Sequence, residues 1–108
     1  MFGLFDSKSE KLVKKAYKIF REYLACHMRV LKNPDSEFWI KYFYETELHL
    51  EEIFEDIRLE CGEEYLNNLQ KNLEIEQKKS LYQFSEEEFD FIQSKKHEYK
   101  MRNKIWRL

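Results

Sequence analysis

Hydrophobic residues recur along most of this chain with the three- and four-residue spacing of amphipathic helices. The clearest case is residues 37–64, for which the pattern predicts one helix. Its apolar stripe advances in alternating steps of four and three: Trp39, Phe43, Thr46, Leu50, Ile53 and Ile57. Asp35 or Ser36 is expected to cap this helix, and Gly62 to end it in the left-handed conformation.

The first helix is predicted to begin at Ser7, because Ser7 and Glu10 have the spacing of a capping box. It should end at Asn33–Pro34, since proline lacks an N–H and disfavours helical angles in the residue before it. One face carries Val13, Ala16, Phe20, Tyr23, Leu24, His27 and Leu31. Phe2, Leu4 and Phe5 are expected to fold back onto the core as an apolar plug.

Two shorter helices are predicted in the second half of the chain. The third runs from about Glu63 to about Ser80 on a stripe of Leu66, Leu69 and Leu73. Ser85 and Glu88 repeat the capping-box spacing, so the fourth helix starts there. Its stripe is Phe89, Ile92, Tyr99 and Trp106, interrupted by Lys95 and Lys96. Between these helices, Leu81, Tyr82 and Phe84 are expected to pack in a loop.

The chain has two glycines and one proline in 108 residues, which favours long helices over a sheet-based fold. We therefore predict one all-α domain, 1–108, folded as a small antiparallel four-helix bundle. Its two long N-terminal helices form a central hairpin, with the third and fourth laid across it. No apolar run spans a membrane and no secretory signal is found, so we expect a cytoplasmic protein whose Cys26 and Cys61 are reduced.

The net charge of −2 conceals an uneven distribution along the chain. Residues 1–34 carry eight Lys or Arg against three Asp or Glu, whereas residues 35–64 carry two against eleven. Antiparallel pairing sets the basic flank of the first helix beside the acidic flank of the second, so some charges should pair there. A partner would nevertheless respond chiefly to the acidic segment.

The second helix carries apolar residues on its acidic side as well as on its buried stripe. Folding does not require these residues, and an acidic surface with apolar anchors is typical of a docking face for a basic protein. The predicted contact residues are Tyr44, Glu45, Leu48, Glu51, Glu52, Glu55 and Leu59. Alternatively, Tyr44, Leu48 and Leu59 lie beneath the third or fourth helix.

The sequence gives no pattern for catalysis or for a cofactor. The three histidines lack the Glu-x-x-His spacing of di-iron bundles, and no glycine-rich loop is present to hold phosphate. His27 falls on the apolar face, where a core residue with one hydrogen bond is the ordinary interpretation and a pH-sensitive group is the alternative. We expect a protein that is not an enzyme and needs no metal or cofactor.

Two alternatives to a protein-docking function remain. The basic side of the first helix, with Lys8, Lys11, Lys14, Lys15, Lys18 and Arg21, would suit nucleic acid, although the acidic segment beside it would repel phosphate. A self-associating adaptor would instead use Tyr44, Leu48 and Leu59 to join two copies. The sequence leaves open whether the protein is a monomer or a homodimer.

In general character the chain resembles the small helical immunity proteins with which bacteria neutralise their own nuclease toxins. The most comparable stretch is residues 44–52, YETELHLEE, in which acids surround an aromatic and an aliphatic anchor. The resemblance implies that an acidic helix holds a basic toxin domain and blocks its substrate-binding surface. It also implies that Tyr44, Glu45, Leu48, Glu51, Glu52 and Glu55 are the contact residues.

Overall fold

The computed structural model describes the backbone of residues 2–106 and the side chains of residues 8–103. Four helices account for almost all of this chain: α1 Phe2–Lys32, α2 Glu37–Cys61, α3 Glu63–Lys79 and α4 Glu86–Trp106. The described residues contain no strand, so the predicted all-α class is confirmed. No helix within them is both long and apolar enough to cross a membrane.

Helices α1 and α2 form a long antiparallel hairpin. Lys8 Nζ lies 3.3 Å from Glu60 Oε2 at one end, and near the middle the Tyr23 hydroxyl donates to Glu47 at 3.0 Å. Residue numbers therefore fall along α2 as they rise along α1, which is the register of an antiparallel pair. The Pro34 turn sets this arrangement by ending α1 at Lys32 and letting the chain reverse within a few residues.

Helices α3 and α4 cover one side of this hairpin, one after the other. A single line of α2 faces them, with residues three and four apart: Ile40, Phe43, Glu47, Leu50, Phe54, Ile57 and Cys61. Its first part meets α4 and its last part meets α3. Among the described residues, no Cα atom of α3 comes within 8 Å of α4. The molecule measures 51 × 37 × 20 Å, and the thin dimension corresponds to two helix layers.

The core consists of two apolar clusters along the hairpin. The lower cluster joins α1 and α2 to the three leucines of α3, at positions 66, 69 and 73. The upper cluster joins Cys26, Val30, Ile40, Phe43 and Ile92, with Phe84 and Tyr99 packed against it. Tyr23 contacts both clusters, so this residue connects the two halves.

Three of the predicted helix ends are confirmed. Ser36 caps α2 by accepting from the Trp39 amide at 3.4 Å. Ser85 and Glu88 form the reciprocal capping box at the start of α4, with bonds of 2.8 and 3.0 Å. Gly62 ends α2 with φ +95° and ψ 163°, so its φ is positive as predicted but its ψ is extended rather than left-handed helical.

The predicted start of α1 is wrong. The helix begins at Phe2 and continues through residue 7, so Ser7 lies inside a helix rather than at its cap. Phe2, Leu4 and Phe5 belong to the same helix and do not fold back as a loop; their side chains lie outside the described residues. Local capping chemistry at Ser7 was outweighed by the apolar residues that precede it, which are compatible with helical continuation.

Several predicted core positions are also corrected. Leu81 is 95% exposed and Phe89 is 45% exposed, whereas the loop residue Phe84 is partly buried as expected. Trp39 is only partly buried, and its neighbour Ile40 is the residue that enters the upper cluster. The side chain of Trp106 lies outside the described residues. The change from Trp39 to Ile40 arises because α4 packs on α2 through Ile92, which contacts the Ile40 side of the helix.

Candidate partner-binding face

Four of the seven predicted contact residues form a straight stripe on the open side of α2. Leu48, Glu52, Glu55 and Leu59 follow one another at steps of four, three and four, which places them above one another on a helix. All four are exposed, and the two leucines are 40% and 70% exposed. The stripe spans about 16 Å between its two leucines. It therefore presents two carboxylates between two aliphatic anchors.

The flanks of this stripe are acidic as well. Glu45, Glu51 and Asp56 are exposed on α2. Glu51 lies towards α1, since its charge contributes to raising the pKa of the Tyr23 phenol. Helix α2 carries two Lys or Arg residues, Lys41 and Arg58, so few cations on this face offset the acids. The face therefore has a strongly negative potential.

Glu55 is the one carboxylate of the stripe that is engaged within the molecule. Its two oxygens accept hydrogen bonds from Nε and Nη2 of Arg58, three residues later on the same helix. The hydrogen bonds from Arg58 hold the pKa of Glu55 below its usual range. Both side chains are solvent-exposed, so a partner's arginine or lysine can compete for the carboxylate without burying an unpaired charge.

Tyr44 differs from the other predicted contact residues because α4 lies over it. Its ring is 5.9 Å from the ring of Tyr99, and the Lys100 ammonium lies 5.6 Å from its centroid. The side chain is half-buried rather than open. Tyr44 thus lies one turn before Leu48 on α2 but is covered by α4 through Tyr99 and Lys100. The alternative in which the third or fourth helix covers these residues therefore applies to Tyr44, whereas Leu48 and Leu59 are exposed.

Glu47 of α2 stabilises the fold and is not part of the exposed acidic face. Glu47 accepts from the Tyr23 hydroxyl at 3.0 Å and from Lys96 Nζ at 2.6 Å, so it joins α1, α2 and α4. The Glu47 and Lys96 side chains are only 18% and 16% exposed. Burial, followed by the charge of Glu47, raises the pKa of Tyr23, which keeps the phenol protonated as the donor. From the sequence, Lys96 was interpreted as an interruption of the apolar stripe of the fourth helix.

His27 lies beside this network and is 2% exposed. Its Nδ1 is 2.8 Å from the Tyr23 carbonyl, which makes the Nδ1–H tautomer the donor. Tyr23 and Phe43 meet the imidazole edge-on at 4.4 and 4.6 Å, and Phe84 and Phe89 lie within 6.0 Å. Burial lowers the pKa of His27. The side chain is thus placed as the ordinary interpretation expected, in the core with one hydrogen bond.

The cysteines and acids do not combine into a metal site among the described side chains. Cys26 is buried with a free thiol 3.9 Å from Thr46 Oγ1, and burial raises the pKa of this thiol. Cys61 is a partly buried free thiol that donates to Ser9 Oγ at 3.4 Å. The two thiols lie at different levels of the hairpin and each has its own neighbour.

A cluster of aromatic side chains at the start of α2 was missed as a surface feature. Phe38 is 64% exposed and Tyr42 is 39% exposed, and both rings contact Trp39, at 4.8 and 6.0 Å. The Arg29 guanidinium of α1 lies 4.5 Å from the Trp39 centroid. The four-residue step from Phe38 to Tyr42 places both on one face, away from the buried stripe. That step was the signal available in the sequence.

Comparison with protein-family models, with curated proteins and with solved structures finds no match to this chain.

Proposed function

We propose that this protein is a non-enzymatic binding protein that holds a basic partner against the outer side of α2. The partner class proposed is the basic domain of a bacterial toxin or nuclease, as the resemblance to immunity proteins implies, with both proteins meeting in the cytoplasm. The supporting observation is the exposed stripe of Leu48, Glu52, Glu55 and Leu59. Aliphatic anchors with carboxylates between them provide apolar burial and charge pairing together.

The contact residues proposed differ in rank, with four of them at the centre and the others around it. The centre is the stripe, with Glu45, Glu51 and Asp56 as an acidic surround that speeds encounter with a cationic protein. Tyr44 contributes through its exposed edge, because Tyr99 and Lys100 of α4 cover the rest of its ring. A partner that used the whole Tyr44 ring would first have to displace α4.

Reversing charge in the stripe tests the proposal. The candidate partner is the product of the adjacent gene. The last domain of that product is expressed and purified together with this protein. Glu52→Lys combined with Glu55→Lys should weaken the complex at least a hundredfold, about 3 kcal/mol, and slow association, because two close charge pairs become repulsive. Leu59→Ala should accelerate dissociation without changing the salt dependence of association.

The matched control reverses one exposed acid on each of two other helices, Glu74→Lys on α3 and Glu87→Lys on α4, which changes the net charge equally. It should alter the association rate only slightly. An affinity equal to wild type in the stripe variant would remove this face as the binding site. If light scattering showed that two copies of this chain join through the stripe, the self-associating adaptor would be the function instead.

A further inference from the structure

We propose that the α1–α2 turn end of the molecule carries a second site, which binds single-stranded nucleic acid by stacking bases on exposed aromatic rings. The aromatic platform is defined as Phe38, Trp39 and Tyr42. It is distinct from the acidic stripe and from the lysines of α1, which were the sequence-based candidates for nucleic acid. The proposal rests on ring exposure, on neighbouring cations and on a cleft beside the platform.

The platform offers ring faces that the protein's own packing does not require. Trp39 is held in place because it packs against the upper cluster and because the Arg29 guanidinium lies on its ring. Phe38 meets Trp39 at 75° and is 64% exposed, so much of its ring is open to solvent. Tyr42 meets Trp39 at 70°, lies 6.3 Å from the Phe38 ring and is 39% exposed, so the three rings form one group. Exposed rings of this kind stack on any nucleobase.

A cleft of about 300 Å³ adjoins Phe38, between the start of α2 and the end of α4. It is lined by Glu37, Phe38, Lys41, Tyr99, Arg102 and Asn103. Asn103 uses its amide nitrogen to donate to the Tyr99 carbonyl at 2.8 Å, which leaves its oxygen as an acceptor for a base edge. Phe38 and Tyr99 supply aromatic walls, and Lys41 supplies an exposed cation.

Three cations lie at this end of the molecule: Arg29, Lys41 and Arg102. Arg102 pairs with Glu37 at 2.7 Å, so this acid is neutralised within the cleft wall. Arg29 stacks on Trp39, and among the described residues it makes no ion pair. Arg29 lies on the Trp39 ring and Lys41 lies in the cleft beside Phe38, so each can meet a phosphate. Cations beside stacked rings distinguish this site from the acidic stripe lower on the same helix.

The test uses the full chain and a labelled oligothymidylate of about ten nucleotides, followed by anisotropy at low salt. Phe38→Ala combined with Tyr42→Ala should weaken binding at least tenfold, since two stacking surfaces are lost. Lys41→Gln should reduce the dependence of log affinity on log salt concentration by about one phosphate contact. Binding should quench Trp39 fluorescence, and Trp39→Phe separates this signal from that of Trp106.

Exposed aromatic residues elsewhere provide the matched control. Tyr65→Ala on α3 and Phe91→Ala on α4 remove rings of 44% and 40% exposure, and should change the affinity less than twofold. Circular dichroism and urea unfolding confirm that each variant is folded. Absence of binding at low salt, or equal losses in the control pair, would overturn the proposal. So would displacement by an acidic peptide of equal charge at equal concentration, because charge alone would then carry the interaction.

Discussion

At the residue scale, the most consequential side chains are those whose charge or hydrogen bond has been taken into the core. Glu47 illustrates this, because in the sequence it belongs to the acidic run and in the structure it links three helices through Tyr23 and Lys96. A carboxylate with two such partners is retained at low exposure because its charge is compensated. Removing Lys96 would leave the Glu47 carboxylate without its cation at 18% exposure, and removing Glu47 would leave the Lys96 ammonium without its carboxylate.

His27 should make stability depend on pH just below neutrality. Its folded pKa is lowered by burial, so the unfolded chain takes up a proton below about pH 6.5 that the folded chain resists. The free energy of unfolding should therefore fall as the pH drops from 7 towards 5, by at most about 1.4 kcal/mol per pH unit from this group. Urea unfolding at several pH values measures the slope.

His27→Gln should flatten this slope, and His97→Gln, at an exposed position of α4, is the matched control. Comparing slopes rather than absolute stabilities separates titration from any packing loss in the variant. Equal slopes for wild type and His27→Gln would show that the buried imidazole does not govern the pH dependence. The aromatic surroundings contributed by Phe84 and Phe89 would then have to accept the imidazolium at no cost.

At the element scale, the helix ends decide where each face points. Ser36 and the Ser85–Glu88 box are local hydrogen-bonding devices, so they were readable from sequence. Ser7 had the same signature and is not used as a cap, because the residues before it continue the helix. A capping motif therefore predicts a helix start only where the preceding residues are unable to extend the helix.

Gly62 should be intolerant of an L-side chain. It joins α2 directly to α3 with φ +95° and ψ 163°, a region that is essentially restricted to glycine. No heavy atom lies within 4 Å of a Cβ built there, so the cost is backbone strain rather than a clash. Gly62→Ala should lower the free energy of unfolding by about 1–3 kcal/mol, measured by urea denaturation.

A D-alanine at position 62 provides a sharp control, because its favoured angles include positive φ. A chain assembled by ligation at Cys61 can carry this residue. The D-alanine protein should be at least as stable as wild type, since open space surrounds the new methyl group. Equal destabilisation by both enantiomers would mean that solvent exposure or packing, not the dihedral angles, sets the preference for glycine.

At the scale of the whole molecule, the two core clusters suggest two units that share one hairpin. The lower cluster holds α3 and the upper cluster holds α4, and within the described chain these helices do not contact one another. Coupling between them must pass through α1 and α2, chiefly by way of Tyr23. The acidic stripe lies on α2 opposite the lower unit, and the aromatic platform lies at the upper unit.

Truncating a core side chain should reveal these two units in hydrogen-exchange measurements. Leu69→Ala removes buried contacts of α3 and should cost about 2–4 kcal/mol, with the loss of amide protection concentrated in α3. Ile92→Ala should cost a similar amount and deprotect α4 instead, because Ile92 is fully buried in the upper cluster. If each variant lowered protection equally in both helices, the molecule would be a single cooperative unit.

The sequence by itself determined the helical class, the turn at Pro34, the end of α2 at Gly62 and most of the buried stripe of α2. These depend on interactions between residues within about one helical turn, where spacing and side-chain chemistry suffice. It also placed Leu48, Glu52, Glu55 and Leu59 on the acidic side of α2, but left open whether the two leucines are covered. Only the tertiary structure decided that α4 covers Tyr44, that Glu47 is internal, and that Phe38 and Tyr42 stand open around Trp39. Those outcomes depend on which flank of α2 is approached by α3 and by α4. That approach is set by packing between residues tens of positions apart in the sequence.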